Sequence, residues 1–483
     1  MANGEEAVPV IRAARGDVPF YREHGFHHPR AVEGTFRRVK WWAMAALLAV
    51  WHLAPFLRWD RGPGAPDQAI LIDMPGRRAY FFFIEIWPQE VYYLTGLLLL
   101  AGVALFLMSA LAGRVWCGFL CWQTVYTDLF IEVERLILGD RPRRMEFDRA
   151  PLSAGKVGRV ALVNATWLAI AAACGISFTL YFGDAFATLR EIFTGQAGSG
   201  TYLFILVIGG FCFLLAGYAR ERVCVYMCPY ARFQSAMFDE HSLIVSYEAW
   251  RGEPRGPARK GQSFEGRGHC VDCRACVQSC PTGTDIRFGN QLSCIGCALC
   301  IDACNTVMDR FGLPRGLISY DSSANMQARE KGGKTRFRLI RPRTLVYFAL
   351  LAIVGSAMVV SLAFRSGTEV NVLHERAPLF VVLSNGGVRN GYVYKILNMV
   401  REDRDYRLSL EGLPGATLDV IGGESGVTAT TLHADRDTVA TYRVYVTAPP
   451  GEGMARRTAL TFVLTTPDGR VVKTGDMFAG PDK

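Results

Sequence analysis

Twelve of the fourteen cysteines fall into four spaced groups. "CVDCRACVQSCP" begins at Cys270 and "CIGCALCIDACN" at Cys294, and each reads C-x2-C-x2-C-x3-C. Upstream, "GRVWCGFLCW" (Gly113 to Trp122) and "ERVCVYMCPY" (Glu221 to Tyr230) each hold one C-x3-C pair just after an apolar run and a basic residue. Thiolate sulfur is a soft ligand, suited to iron–sulfur clusters, zinc and Cu(I).

The two four-cysteine motifs are the ligand pattern of a bacterial two-cluster ferredoxin. A tight loop puts three thiolates on one cubane, and the fourth cysteine reaches across to the other. Cys270, Cys273, Cys276 and Cys304 then hold one [4Fe-4S] cluster. Cys294, Cys297, Cys300 and Cys280 hold the second. Pro281 follows Cys280 as the pattern expects, while Asn305 replaces the second proline. Zinc takes its four ligands from one or two C-x2-C pairs and would leave the eightfold arrangement unexplained. By itself the motif implies one-electron transfer.

The other four cysteines need their elements to meet. On a continuous helix, residues i and i+4 share a face. If the two apolar spans pack together, Cys117 and Cys121 face Cys224 and Cys228 around one soft-metal site. Pro229 favours a helix start, where the macrodipole would favour the Cys228 thiolate. Trp122 stands in the matching place, so the first pair is expected within a helix. Four inert, buried cysteines are the bland alternative, and the matched spacing, depth and sidedness argue against it. Cys174 and Cys212 lie singly inside apolar runs and read as core packing. His52, near the outer end of the first run, either serves a function or reaches the headgroups. His24, His27 and His28 read as a solvated polar segment, with a transient metal site as the alternative. Asp128, Glu132 and Glu134 read as a solvated helix face.

Half the residues are hydrophobic, and the excess sits in five runs: Val39–Leu57, Val91–Ala112, Val160–Phe182, Tyr202–Ala219 and Leu345–Phe364. Each is long enough to cross a bilayer as helix. No cleavable signal peptide is visible, so the first run is expected to insert as an internal anchor. Lys and Arg concentrate before the first run and in the segments after the second and fourth. This places the N-terminus and both thiol groups on the cytosolic side, with Arg58, Arg61, Arg77 and Arg78 as a discordant count in the first outer loop. A net charge of +9 reads as topology and attraction to membrane lipid, not as nucleic-acid binding. Cysteines are absent after Cys304, so the expected outer domain is cysteine-free, and most cysteines lie in segments placed in the reducing cytosol, where metal binding or redox chemistry is the better reading.

The expected organisation is a cytosolic arm (1–38), a four-span membrane domain with both C-x3-C pairs (39–240), a cytosolic linker and ferredoxin module (241–340), a fifth span (341–365) and a periplasmic domain (366–483). Segments such as "ATYRVYVTA" and "ALTFVLTTPDGRVVK" are alternating or β-branched-rich and separated by turn signals, which predicts a sandwich of about seven strands. The fold class is a multi-domain membrane protein: five α-helical transmembrane spans, a bacterial-type two-[4Fe-4S] ferredoxin domain and a C-terminal all-β immunoglobulin-like sandwich. The two C-x3-C segments also read as a duplicated unit, each followed by an amphipathic stretch with an acidic residue.

The stretches "GRVWCGFLCWQTVYTDLF" and "ERVCVYMCPYARFQSAMFD", the double ferredoxin motif, the fifth span and "RNGYVYKILN" together resemble the CcoG/FixG/RdxA proteins, from about Arg37 onward. Trp122 departs from that family's pattern, where proline is common. The resemblance implies a role in assembling cbb3-type cytochrome c oxidase in a Gram-negative inner membrane, through reduction of Cu(II) to Cu(I). It makes Cys117, Cys121, Cys224 and Cys228 the copper-binding candidates. Implied partners are oxidase subunits or copper chaperones and transporters, with a cytosolic or quinol electron donor; a homodimer is compatible with it. No acid or base side chain is required, because outer-sphere electron transfer moves no proton. Two other readings are a quinol-linked electron conduit of polyferredoxin type and a non-catalytic assembly scaffold.

Overall fold

The computed structural model describes residues 27–62, 64–259, 261–450 and 456–481. His24 and most of the N-terminal arm lie outside the described residues. The chain divides into two compact units, Met1–Met358 and Val359–Lys483.

Five helices of the described residues are long and apolar enough to cross a membrane: Thr35–Phe56, Pro88–Ala112, Ala154–Phe182, Ser199–Ala219 and Pro342–Ala363. The regular helices of the first unit begin with α1 (Thr35–Leu53), α2 (Val91–Ala112), α3 (Trp122–Leu138), α4 (Arg141–Arg149), α5 (Ala154–Thr179), α6 (Ala185–Thr194), α7 (Ser199–Cys212) and α8 (Pro229–Ala236). Leucine-rich faces of α2 and α7 stay exposed, as a lipid-facing surface would. Small residues let α5 and α7 approach closely, the usual device for packing helices in lipid. A Cβ on Gly175 would lie 2.6 Å from the Ile205 carbonyl oxygen, and one on Gly209 2.9 Å from that of Ala171.

At one end of this bundle, three short strands (Ile70–Asp73, Arg78–Phe81, Ile84–Ile86) form an antiparallel sheet. Arg61 is buried there, with its guanidinium donating to the carbonyls of Phe82, Pro66, Gln68 and Ala69. Gln68 joins the sheet to the bundle by donating to Leu180 O and accepting from Ala185 N.

The cysteine-rich module sits at the other end. Strands Ile244–Tyr247 and Ile318–Asp321 pair antiparallel, and helices Ala275–Ser279 and Leu299–Phe311 follow the two cysteine loops. The first span begins at Thr35, four residues before the expected start, because its first turn is docked on this module. Asp302 accepts from Arg37 N at 2.8 Å and so caps α1 from outside. His27 and His28 are docked on protein and not solvated: His27 Nε2 lies 2.8 Å from Cys280 O, and His28 Nε2 2.7 Å from Asp148.

Asp128, Glu132 and Glu134 also depart from expectation. The face of α3 that carries them meets protein, and Asp128 and Glu134 are buried. Arg37 forks onto Asp128 at 2.9 and 3.0 Å and reaches Glu132, while Lys40 lies 3.4 Å from Asp128. Glu134 is held between Arg144 and Arg220.

The second unit is a sandwich of a five-stranded and a four-stranded sheet, nine strands among the described residues where about seven were expected. Its core is the alternate inward side chains of both sheets, including Tyr392, Tyr394 and Ile396 from one and Tyr406, Leu408 and Phe462 from the other. In "RNGYVYKILN" both asparagines are buried; Asn398 donates to Glu402 O and Asp435 O and accepts from Tyr406.

Candidate functional site

The two cysteine loops share one backbone pattern. In the first, Asp272 and Arg274 flank Cys273 with φ of 50° and 54°; in the second, Gly296 and Ala298 flank Cys297 with 70° and 59°. Each loop then runs into a helix carrying its third cysteine. One cavity of about 350 Å³ is lined by Cys270, Cys273, Cys276 and Cys304, with Arg287, Tyr247 and Met308 around them. A second of about 330 Å³ is lined by Cys280, Cys294, Cys297 and Cys300, with Ile286 and Ile295. Each holds three thiols of one loop and the fourth of the other, a donor set and an enclosure that fit a [4Fe-4S] cubane. Burial pushes the Cys276, Cys294 and Cys304 thiols up to about 12 and Cys297 to about 11. They are therefore neutral until a cation replaces their protons. Cys280 Sγ accepts from Thr284 N at 3.3 Å. Cys273 is the exposed cysteine of the first cavity.

The two C-x3-C segments have one local structure. Each starts from a left-handed residue, Gly113 (φ 59°, ψ −122°) and Arg220 (φ 44°, ψ −122°). A wide π-helical turn follows, Trp116–Leu120 in one and Val223–Met227 in the other. The second cysteine of each pair is extended, Cys121 at φ −67°, ψ 130° and Cys228 at φ −80°, ψ 112°, and caps the next helix. Trp122 therefore opens α3 as Pro229 opens α8. The expectation that the first pair lies within a continuous helix is corrected: helix breaks at Cys121, and the π turn sets the cysteine spacing.

These turns bring Cys117 and Cys224 onto one apolar patch. Cys117 is electrostatically coupled to Cys121, Cys224 and Cys228, and Cys224 to Cys121 and Cys228. Burial pushes Cys117 and Cys224 up to about 12, so a soft cation must displace their protons. Cys117 Sγ donates to Gln234 Oε1 at 3.2 Å. Cys117 and Cys224 pack against Ile295, Cys297 and Leu299, beside the second cavity. Arg114, missed as a site residue, holds the region together. Its guanidinium donates to Cys294 O, Ala231 O and Ser235 Oγ at 2.8, 2.6 and 2.5 Å. One cation thus ties the first pair to the second cluster loop and to α8. Its only sequence signal was a basic residue recurring ahead of each pair.

Residues 219–323 match a family described as a 4Fe-4S dicluster domain, and residues 94–141 one described as a 4Fe-4S binding domain. Residues 358–481 match the immunoglobulin-like fold at the C-terminus of FixG. Among curated proteins, the nitrogen fixation protein FixG of Rhizobium meliloti is 44% identical over 471 residues, covering 92% of this chain and 90% of that protein. Protein RdxB of Cereibacter sphaeroides is 45% identical over 427 residues, covering 88% and 89%. The chain belongs to the FixG/RdxA family. It carries 4Fe-4S domains, five long apolar helices among the described residues and the C-terminal immunoglobulin-like domain, and it is an iron–sulfur electron-transfer protein of the membrane. A solved FixG-related protein from Vibrio parahaemolyticus aligns with 24% of this chain and 96% of its own, at 20% identity and a TM-score of 0.20.

Proposed function

We propose that this FixG-family chain reduces Cu(II) to Cu(I) at Cys117, Cys121, Cys224 and Cys228, in the service of cbb3-type oxidase assembly. The observation that carries the reading is the packing of the Cys117 turn directly on the Cys297 loop. Clusters held by the eight ferredoxin cysteines would supply one-electron transfer when bound. The chain itself does the rest. Four thiols offer a soft site that prefers the cuprous product to the cupric substrate. Arg114 fixes the short path between the two sets of sulfurs. Exposed Cys273 marks the face open to an electron donor, either a cytosolic reductant or a quinol-linked protein. The Lys/Arg distribution supports a cytosolic ferredoxin end and a periplasmic sandwich, in the inner membrane. The sandwich would face oxidase subunits or copper carriers.

A specific observation favours a second reading. The match at residues 94–141 to a 4Fe-4S binding domain spans Cys117 and Cys121. Among the described residues, no three His, Cys, Asp or Glu side chains gather closely enough to hold a single ion. On this reading the four cysteines hold a third cluster and extend the electron path. One variant separates the two. Replacing all four cysteines by serine should abolish copper binding and keep all the iron of the wild type. Loss of about a third of the iron would establish the third cluster instead. Unchanged copper stoichiometry would remove the copper site.

A further inference from the structure

Cys174 and Cys212 are not single. They sit on α5 and α7, where the close approach at Gly175 and Gly209 brings the helices together. Cys174, Cys212 and Tyr126 belong to one buried cluster, with the two thiols and the Tyr126 hydroxyl within each other's electrostatic reach. Both cysteines are buried, at 0% and 6% exposure, in an apolar cluster with Phe130, Trp167 and Ala216. Tyr126 leads away in two directions. Its hydroxyl lies 3.4 Å from His52 Nε2, and His52 Nδ1 lies 2.6 Å from Ser177 Oγ. Its ring lies 4.9 Å from that of Trp122, which adjoins Cys121 and meets Trp51 edge-on at 4.1 Å. Trp122, the residue after Cys121, stands one turn before Tyr126 on α3, a rise of about 6 Å.

We infer that Cys174 and Cys212 form a redox-active dithiol within the helical bundle, joined through Tyr126 and Trp122 to the four-cysteine site. The step breaks two S–H bonds and forms one S–S bond, releasing two electrons and two protons. Dithiol and disulfide are both neutral, which suits an apolar core where an isolated thiolate would be costly. Tyr126, His52 and Ser177 are the proton-exchanging groups that lead out of the core. Two equivalents of a one-electron metal oxidant take the electrons in turn. Naming cupric ion as that oxidant rests on the proposed function, whereas the dithiol itself does not. Two cysteines serving as small packing residues would need neither the tyrosine contact nor a route to Cys121.

The test uses the full chain in detergent and ferricyanide, a one-electron oxidant free of copper. Protein reduced by a phosphine is titrated with ferricyanide, quenched, alkylated and mapped by mass spectrometry. A peptide linking Cys174 to Cys212 should accumulate and disappear again on reduction. Cys212→Ser and Cys212→Ala, with iron–sulfur absorption intact, should each consume two fewer oxidant equivalents than wild type. Trp122→Leu should slow formation of the link about tenfold or more without changing its final amount. Separate alkylation of both cysteines at every oxidant level overturns the dithiol, as does equal oxidant consumption by wild type and the variants. An unchanged rate in Trp122→Leu overturns the connection to Cys121.

Discussion

Gly118→Val should slow the oxidation of the dithionite-reduced protein by Cu(II) about 100-fold, the scale set by an ångström of misplacement at a reacting centre. Gly118 lies in the π turn between Cys117 and Cys121. A Cβ there would meet Gly296 O at 2.8 Å and the N and Cα of Cys297 at 2.9 Å. These are backbone atoms and cannot rotate aside. The contact is mutual, since a Cβ on Gly296 would lie 3.1 Å from both Cβ and the carbonyl oxygen of Arg114. Gly296 also has φ 70°, so glycine suits it twice over. Two turns touching backbone to backbone give a direct protein path between the Cys117 turn and the second cavity. Valine must push them apart, at an overpacking cost of about 1–3 kcal/mol.

Arg114 keeps the displaced turn from simply leaving, because its guanidinium still grips Cys294 O and Ala231 O. Iron content and copper stoichiometry should therefore hold while the rate falls. Stopped-flow absorbance of the iron–sulfur band reads the rate, and Gly118→Ala should fall between the two. A wild-type rate in a folded Gly118→Val protein would mean that electrons reach copper by another path.

The eight ferredoxin cysteines were readable because their geometry is local: three thiols come from one loop, and the loop's own spacing states it. The spans and the sandwich were readable for a similar reason, since apolar run length and alternation are properties of single elements. The C-x3-C turns were harder. Helical periodicity explains a spacing of four by one shared face, yet the chain uses a π turn and an extended cysteine. Pro229 announced the helix start after Cys228, but Trp122 carries no such signal. Asp128 and Glu134 were misread for a different reason. An amphipathic pattern shows that a helix has a polar face and cannot show that another protein segment covers it. Cys174 and Cys212 are far apart in sequence, and only the glycine-lined crossing of α5 and α7 makes them neighbours.

That covered polar face carries the second large effect. Asp128→Ala should destabilise the first unit by about 3–5 kcal/mol, the range for removing one partner of a buried ion pair. Asp128 is buried, and against the cost of burial Lys40 and Arg37 hold its carboxyl below the usual range. Alanine would leave those two cations facing each other inside the protein. Arg37 retains Glu132, but Glu132 is shared with Arg135, so Lys40 bears most of the loss. The same residues dock α1 onto the cysteine module, because Arg37 N is the group capped by Asp302. The damage should thus reach the second cluster loop, and iron should be lost at a lower temperature than in wild type. Asp128→Asn should cost less, since it keeps the shape and one acceptor. The sign with pH follows from the depressed carboxyl. Its contribution is fully present above the unfolded value of about 3.9 and fades as pH falls through the lower folded value. Thermal unfolding followed at the iron–sulfur absorption checks both points. A midpoint unchanged by Asp128→Ala would show that the network is not what holds the first span to the module.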